Sequence, residues 1–383
     1  MDTTKPDRFA RLRETATFRG GGFARWQDAR IAVFGAGALG GPLAQGIVRS
    51  GAAVAVVDFD IGSTENVGTQ IAEPGVSKVD TVVAACEAID AGRACGFACD
   101  VRHVGVGTLD EFDLFIDCTD DANLALPLTD ISNGLGKPML RCAVDGSGVT
   151  ETGRVLCSSG GKGRACQLCS LRLEDILLDR TRTGCLDQLD ATRRPTIAGG
   201  AMALAVVGLG LLSAQRLITG NDDDLVYDRE VLLDFTNLKL LPMQLRRSDR
   251  CVCGHVSWHL YSIDKSSSNA TLDAVFALAS EELSSPEVSL EPYLHPFNEL
   301  AECECGQVRS AIGTSWAQPP RCSRCGRSMR WRRIVQHQQI TRRLACELGI
   351  LSTPLAALGL PMDGAMIIAR SSNLPPIRYV LQG

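Results

Sequence analysis

From Arg30 onward, short apolar runs alternate with stretches whose apolar residues return every three or four positions, the pattern of strand–helix–strand units on a parallel sheet. The runs at 31–34, 53–57, 95–99, 114–118 and 139–144 predict strands. The intervening stretches 39–49, 78–89 and 121–135 predict helices, the second placing Val79, Val82, Val83 and Cys86 on one face. Two more β-like runs follow at 149–157 and 225–245. Between them, 197–214 carries no charge and is dense in Gly and Ala, which reads as a buried core helix rather than a membrane span. The character changes after Cys253: the Ser-rich stretch 262–269 reads as a surface loop or linker, and 358–383 as a turn and two strands closing a small β-rich domain. Two domains are expected, 1–254 and 255–383.

The composition sharpens this picture. With 383 residues and 45% hydrophobic content, the chain can bury a full core and still build a second, smaller domain. A net charge of −5 argues against a protein whose main task is to neutralise nucleic-acid phosphates. One basic stretch, 321–343, holds eight arginines and no acidic residue, and reads as a solvated face or a docking patch for an acidic protein. Sixteen cysteines behind an opening without basic and apolar leader regions fit a reducing cytoplasm with metal-bound thiolates better than a secreted disulfide scaffold.

Chemistry enters at Gly35-Ala-Gly37-Ala-Leu-Gly40, a Gly-x-Gly-x-x-Gly turn directly after a strand run and at the start of a helical one. In that context the glycines let backbone approach a phosphate while helix-terminal N–H groups face it. The next strand ends Val56-Val57-Asp58-Phe59-Asp60, so Asp60 stands 20 residues after Gly40, where a carboxylate can hold ribose hydroxyls. The expected fold class is therefore α/β, a Rossmann-like, mostly parallel sheet with helices on both faces and a smaller C-terminal domain. A nicotinamide dehydrogenase would satisfy these features equally.

The residues that follow separate the two. Asp58-Phe-Asp60 continues to Asn66-Val-Gly-Thr69-Gln70 and then Lys78; a later strand run ends Asp117-Cys-Thr-Asp120-Asp121; and Arg8-Phe-Ala-Arg11-Leu precedes the first strand. Over about residues 8–254 this resembles the ThiF/MoeB/ubiquitin-activating-enzyme family, which has at these places Asp-x-Asp, Asn-x-x-Arg-Gln, a helix-opening Lys, Asp-x-x-Asp-Asn and Arg-Tyr-x-Arg-Gln. The resemblance implies ATP-dependent adenylation of the C-terminal glycine of a ubiquitin-like or sulfur-carrier protein. It places Asp58 and Asp60 at the nucleotide, Asn66 and Gln70 along its phosphates, Lys78 on the α-phosphate and Asp120 on Mg2+. It makes Arg11 a finger delivered across a homodimer interface. One departure is Thr69, where the family has Arg; either another arginine substitutes, or ATP binding weakens and needs a partner subunit. The alternatives are a sulfur-carrier adenylyltransferase without conjugation and a catalytically weak subunit of a heterodimer. A nicotinamide-dependent oxidoreductase is argued against by the residues from Asp60 to Lys78.

Cys166-Gln-Leu-Cys169 and Cys251-Val-Cys253-Gly254 offer four thiolates in two turn-borne pairs, the donor set of structural Zn2+. The family carries two Cys-x-x-Cys pairs here; the second pair is one residue short, so the turn must bend or His255 must help. Cys303, Cys305, Cys322 and Cys325 look like a zinc ribbon in the C-terminal domain. Cys86, Cys95, Cys99, Cys118, Cys142 and Cys157 are expected as small core residues, with Cys346 similar on a helix. Cys185 differs: it lies in a polar stretch with Arg180, Arg182, Arg193 and Arg194 nearby in sequence, and positive charge lowers a thiol pKa. The resemblance makes it the cysteine that takes the activated carboxylate as a thioester, for a downstream conjugating enzyme.

Overall fold

The computed structural model describes residues 7–146, 150–161, 163–170, 199–220, 227–372 and 374–383. The chain divides into two units, residues 1–101 with 112–257, and residues 102–111 with 258–383.

The first unit is organised on one sheet, eight-stranded among the described residues: β1 (Arg30–Phe34), β2 (Ala53–Val57), β3 (Ala94–Phe97), β4 (Leu114–Asp117), β5 (Met139–Asp145), β6 (Thr152–Ser158), β7 (Arg229–Asp234) and β8 (Lys239–Gln244). Their order is β3-β2-β1-β4-β5-β6-β7-β8; the first five are parallel and the last three pairings antiparallel. The central strand shows why the apolar runs are unbroken. Ile31, Ala32, Val33 and Phe34 are all fully buried, because a parallel strand is covered by helices on both faces and has no wet side to alternate with. The edge strand β3 departs from this: Cys95, expected in the core, is exposed, and Cys99 is only half-buried.

Helices α1 (Ala10–Arg13), α2 (Gly22–Asp28), α3 (Gly40–Arg49), α4 (Lys78–Glu87), α6 (Ala125–Leu135) and α7 (Gly200–Thr219) accompany the sheet. Ser77 caps α4 by accepting a hydrogen bond from the Asp80 N–H, and Gly136, at φ 67°, ends α6 in the left-handed conformation. Helix α7 is long and apolar enough to cross a membrane, yet Met202, Ala203, Val206, Val207, Ala214 and Leu217 join the unit's core, and the helix packs on α2, α3, β5 and β6. The close approach has a sequence cause. A Cβ at Gly210 would stand 2.8 Å from the Cys142 sulfur and one at Gly46 2.8 Å from a Leu211 methyl, so small residues let α7 lie down on its neighbours.

The second unit holds α5 (Val106–Asp110), β9 (Leu260–Asp264), α8 (Leu272–Glu282), β10 (Ser289–Pro292), β11 (Phe297–Glu302), β12 (Val308–Gly313), β13 (Arg330–His337), β14 (Ile340–Thr341), α9 (Arg342–Glu347), β15 (Met366–Ser371) and β16 (Leu374–Gln382). One sheet has the order β14-β10-β15-β16-β9 and a separate one β12-β11-β13. The two predicted C-terminal strands are the antiparallel pair β15 and β16. The Ser-rich stretch is corrected in part: residues 262–264 belong to β9 and Ser267 is fully buried with its N–H donated to the Met362 carbonyl at 3.1 Å, while Lys265, Ser268 and Asn269 are exposed in the turn after β9. Residues 102–111 dock here through backbone, Gly107 N–H donating to the Gly364 carbonyl at 2.9 Å. A Cβ at Gly107 would fall 2.3 Å from a Val380 methyl. In the basic stretch, Arg327, Arg332, Arg342 and Arg343 are paired with Glu304, Glu302, Asp273 and Glu347, so half of its charge is spent inside the unit. Cys346, on α9, is exposed.

Candidate nucleotide site and cysteine clusters

Strand order creates the site. Where the sequence β3-β2-β1 turns to β4-β5, the loops after β1 and β4 part, and a parallel sheet opens a crevice at its carboxyl edge. A cleft of about 610 Å3 lies there, lined by Gly35, Gly37, Asp58, Asp60, Asn66, Gln70, Lys78, Asp100, Asp120, Asp121 and Arg141 among others. That size suits a nucleotide.

The glycine loop is held from two sides. Gly35 adopts φ 92° and a Cβ there would stand 3.0 Å from the Cys118 carbonyl oxygen; a Cβ at Gly40 would fall 1.8 Å from the Gly35 carbonyl oxygen. Gly37 has nothing within 4 Å of a built Cβ, so the loop's middle is the part left open to an incoming group. Asp58 accepts from the Ala36 N–H at 2.7 Å and the Asp60 N–H at 2.9 Å, which ties the β2 end to the loop. Asp60 is half exposed and its Oδ2 meets Lys78 Nζ at 2.9 Å, while the lysine side chain is only 11% exposed. Asn66 Oδ1 accepts from the Ser63 N–H at 2.9 Å in a capping box around a short 3-10 turn. Gln70 follows with a buried Oε1 that has no hydrogen-bond partner among the described residues.

On the other wall, Asp117 ends β4 fully buried. Its Oδ1 accepts from the Thr119 N–H at 2.9 Å and hydroxyl at 2.7 Å, and its Oδ2 lies 3.5 Å from Arg141 Nε. Burial pushes its carboxyl pKa up, with Arg141 and the Thr119 hydrogen bonds opposing. Asp121 accepts from the Asn123 N–H at 2.9 Å, whereas Asp120 is exposed at the cleft without a hydrogen bond or ion pair among the described residues. The cleft thus brings Gly35, Gly37, Asp58, Asp60, Asn66, Gln70, Lys78 and Asp120 together, with Gly40 behind the loop. Arg11 is exposed on α1 and does not line it; Thr69 is exposed and does not line it either. Cys185 lies outside the described residues. Arg141 is the charged residue sequence reasoning missed: its signal was one arginine inside the otherwise apolar run 139–144.

The first thiol cluster gathers five donors. Cys166 Sγ lies 3.8, 3.5 and 3.3 Å from the sulfurs of Cys169, Cys251 and Cys253, and His255 Nε2 lies 3.2 Å from Cys169 Sγ. Zn–S bonds of 2.3 Å in a tetrahedron put sulfurs about 3.8 Å apart, so the cluster fits zinc. Cys166, Cys251, Cys253 and His255 alone form a set within 4.8 Å of one another. The shortened Cys-x-Cys pair is followed by two left-handed residues, Gly254 at φ 66° and His255 at φ 52°, which turn the buried imidazole back toward the thiols. The second cluster has Cys303 and Cys325 at 3.4 Å and Cys305 and Cys322 at 3.6 Å, again with all four within 4.8 Å.

A profile of the ThiF family matches residues 9–253. No curated protein matches. Among solved structures, E. coli MccB with ATP is similar at TM-score 0.53 and 13% identity over 66% of this chain and 75% of that one. The microcin C7 biosynthetic enzyme MccB in complex with N-formylated MccA is similar at TM-score 0.54 and 13% identity over 65% of this chain and 75% of that one.

Proposed function

Because the chain belongs to the ThiF family, we propose that it is an ATP-dependent adenylyltransferase whose second substrate is a small peptide or protein with a free C-terminal carboxylate. The carboxylate oxygen attacks the α-phosphorus, the O–P bond forms as the bond to the β-phosphate bridge breaks, and pyrophosphate leaves. The observation that carries this reading is the crevice at the β1/β4 switch, where an open glycine loop and the Asp60–Lys78 ion pair line one cleft. Asp60 holds the ribose, and Lys78, released from Asp60 toward the phosphates, steadies the charge that builds on the α-phosphate. Asp120, whose carboxylate lines the cleft without a partner among the described residues, is the proposed Mg2+ ligand; the ion would neutralise the departing pyrophosphate. The two thiol clusters are proposed as Zn2+ sites. The fold likeness to MccB, solved with ATP and with MccA, supports a peptide or small protein as the acyl donor.

Pyrophosphate exchange into ATP tests the reading. Exchange should require the acyl partner and fall about 10^2- to 10^3-fold in Lys78→Ala and in Asp120→Ala. Exchange that persists in both variants would remove these residues from the chemistry. Conjugation, with a homodimer donating Arg11, is the finer proposal, and a sulfur carrier fits the cleft equally well. Trapping decides between them: a partner adduct that hydroxylamine cleaves and Cys185→Ala abolishes marks conjugation, and its absence in an exchange-active enzyme marks the carrier branch.

A further inference from the structure

We propose that Arg141 is the residue that recognises the free carboxylate of the acyl substrate, an inference that rests on the adenylation reading of the cleft. Along β5 the neighbours Leu140 and Cys142 join the unit's core, while Arg141, pointing to the opposite face, is half-buried and lines the cleft together with Cys142, Ala143 and Val144. An arginine in a central strand is costly to place, and this one is unfinished. Its side chain is 24% exposed, its Nε lies 3.5 Å from Asp117 Oδ2, and among the described residues it donates no hydrogen bond. Asp117 is anchored in turn: Oδ1 is taken by Thr119, and the buried Oδ2 has no hydrogen-bond donor among the described residues. The carboxylate therefore fixes the Nε edge of the guanidinium and leaves its other N–H groups to the cleft. Those N–H groups face a cleft open to solvent, so a ligand that pairs with them replaces water and costs no protein contact.

Position and charge select the ligand. Neighbouring strands lie about 4.8 Å apart, so in the order β2-β1-β4-β5 the strand of Arg141 stands about 10 Å from β1 and about 14 Å from β2, whose following loop carries Asp60. A nucleotide held at Asp60 with its α-phosphate over the glycine loop leaves Arg141 on the far side of the reacting phosphorus. Two anions meet that phosphorus, the pyrophosphate and the incoming carboxylate. Asp117 already offsets the guanidinium charge, so little net positive charge is left at Arg141 to hold a multiply charged phosphate chain. A single carboxylate matches it well, because a planar fork pairs with one carboxylate through two parallel hydrogen bonds.

Arginine labelling by phenylglyoxal, followed residue by residue by mass spectrometry, tests the assignment on the full-length protein. A tetrapeptide ending in Gly-Gly with a free C-terminus should slow labelling of Arg141 about tenfold, its C-terminal amide and ATP with magnesium far less. Protection by ATP alone, or by the acid and the amide equally, or by none of them, overturns the proposal. In pyrophosphate exchange driven by a glycine-ended partner, Arg141→Met should raise the partner's KM about 30-fold and leave the KM for ATP within about twofold, with Arg141→Lys recovering part of the loss. A variant that weakens ATP and spares the partner makes Arg141 a phosphate grip. Failure of the adenylation reading looks different: wild-type protein would show carboxylate protection of Arg141 yet no exchange with any partner.

Discussion

Alanine at Gly40 is expected to destabilise the first unit by about 3 kcal/mol or more and to bring pyrophosphate exchange below detection. The added carbon would sit 1.8 Å from the Gly35 carbonyl oxygen, 2.9 Å from the Gly35 carbonyl carbon and 3.2 Å from a Val33 methyl. Two of these atoms are backbone, so no side-chain rotation relieves the contact. Either α3 lifts away from β1 or the Gly35 peptide turns. Both outcomes destroy the loop: α3 packs through Leu43, Ala44, Ile47 and Val48 into the unit's core, and Gly35 is fixed by its N–H to the Val57 carbonyl at 2.8 Å. Gly37→Ala is the matched control, since its Cβ meets nothing within 4 Å; it should fold normally and lose affinity only where the methyl meets the ligand. Chemical denaturation and calorimetric ATP titration read both effects. A Gly40→Ala protein with wild-type midpoint and ATP affinity would show that the loop is not held as described.

Some of this was legible in the chain and some was not, for physical reasons. The strands β1, β2 and β4 announced themselves because burial on both faces leaves an unbroken apolar run, as in Ile31 to Phe34. The glycine loop and Asp60 were legible because their relation is set by spacing along a single strand–helix–strand unit. Asp58 shares that motif, but only the fold reveals that its carboxylate is engaged by the Ala36 and Asp60 N–H groups, ordering the loop. Arg141 had no local signal beyond its charge; it becomes meaningful once β5 lies beside β4 and sets it against Asp117. The same limit hid the buried Ser267, whose partner Met362 is far away in the chain, and the exposure of Cys95, which follows from β3 being an edge. His255 was half legible: the short Cys-x-Cys spacing hinted at it, and the paired left-handed residues Gly254 and His255 explain how the shorter turn reaches back.

Removing metal from the second cluster should unfold the three-stranded sheet β12-β11-β13 while sparing the five-stranded sheet of the same unit. Apart from Phe297 on β11 and Ile312 on β12, which reach the unit's main core, the small sheet has little else to hold it. Its apolar cluster is Ala301, Cys303, Cys322 and Met329 with Trp331 packed against them, and two of those four buried residues are the proposed ligands. A segment this short seldom buries enough apolar surface to fold without a metal or disulfide. A structural zinc contributes binding free energy of about 10–16 kcal/mol, far more than that cluster can. The five-stranded sheet, in contrast, is backed by Leu272, Val275, Phe276, Ile367, Tyr379 and Leu381. Metal analysis should find two zinc ions per chain, and Cys322→Ser should remove one. Hydrogen exchange after chelation should then rise to unprotected rates across β11 and β13 and stay slow across β15 and β16. The first cluster should respond differently to a lost thiol. Cys169 stands outside the set of four donors that lie within 4.8 Å of one another, so Cys169→Ser should keep its ion on Cys166, Cys251, Cys253 and His255. Cys166→Ser, which removes the sulfur lying 3.3 to 3.8 Å from the other three, should lose it. A β11–β13 sheet that remains protected with no metal bound would mean that packing, and not the ion, holds it.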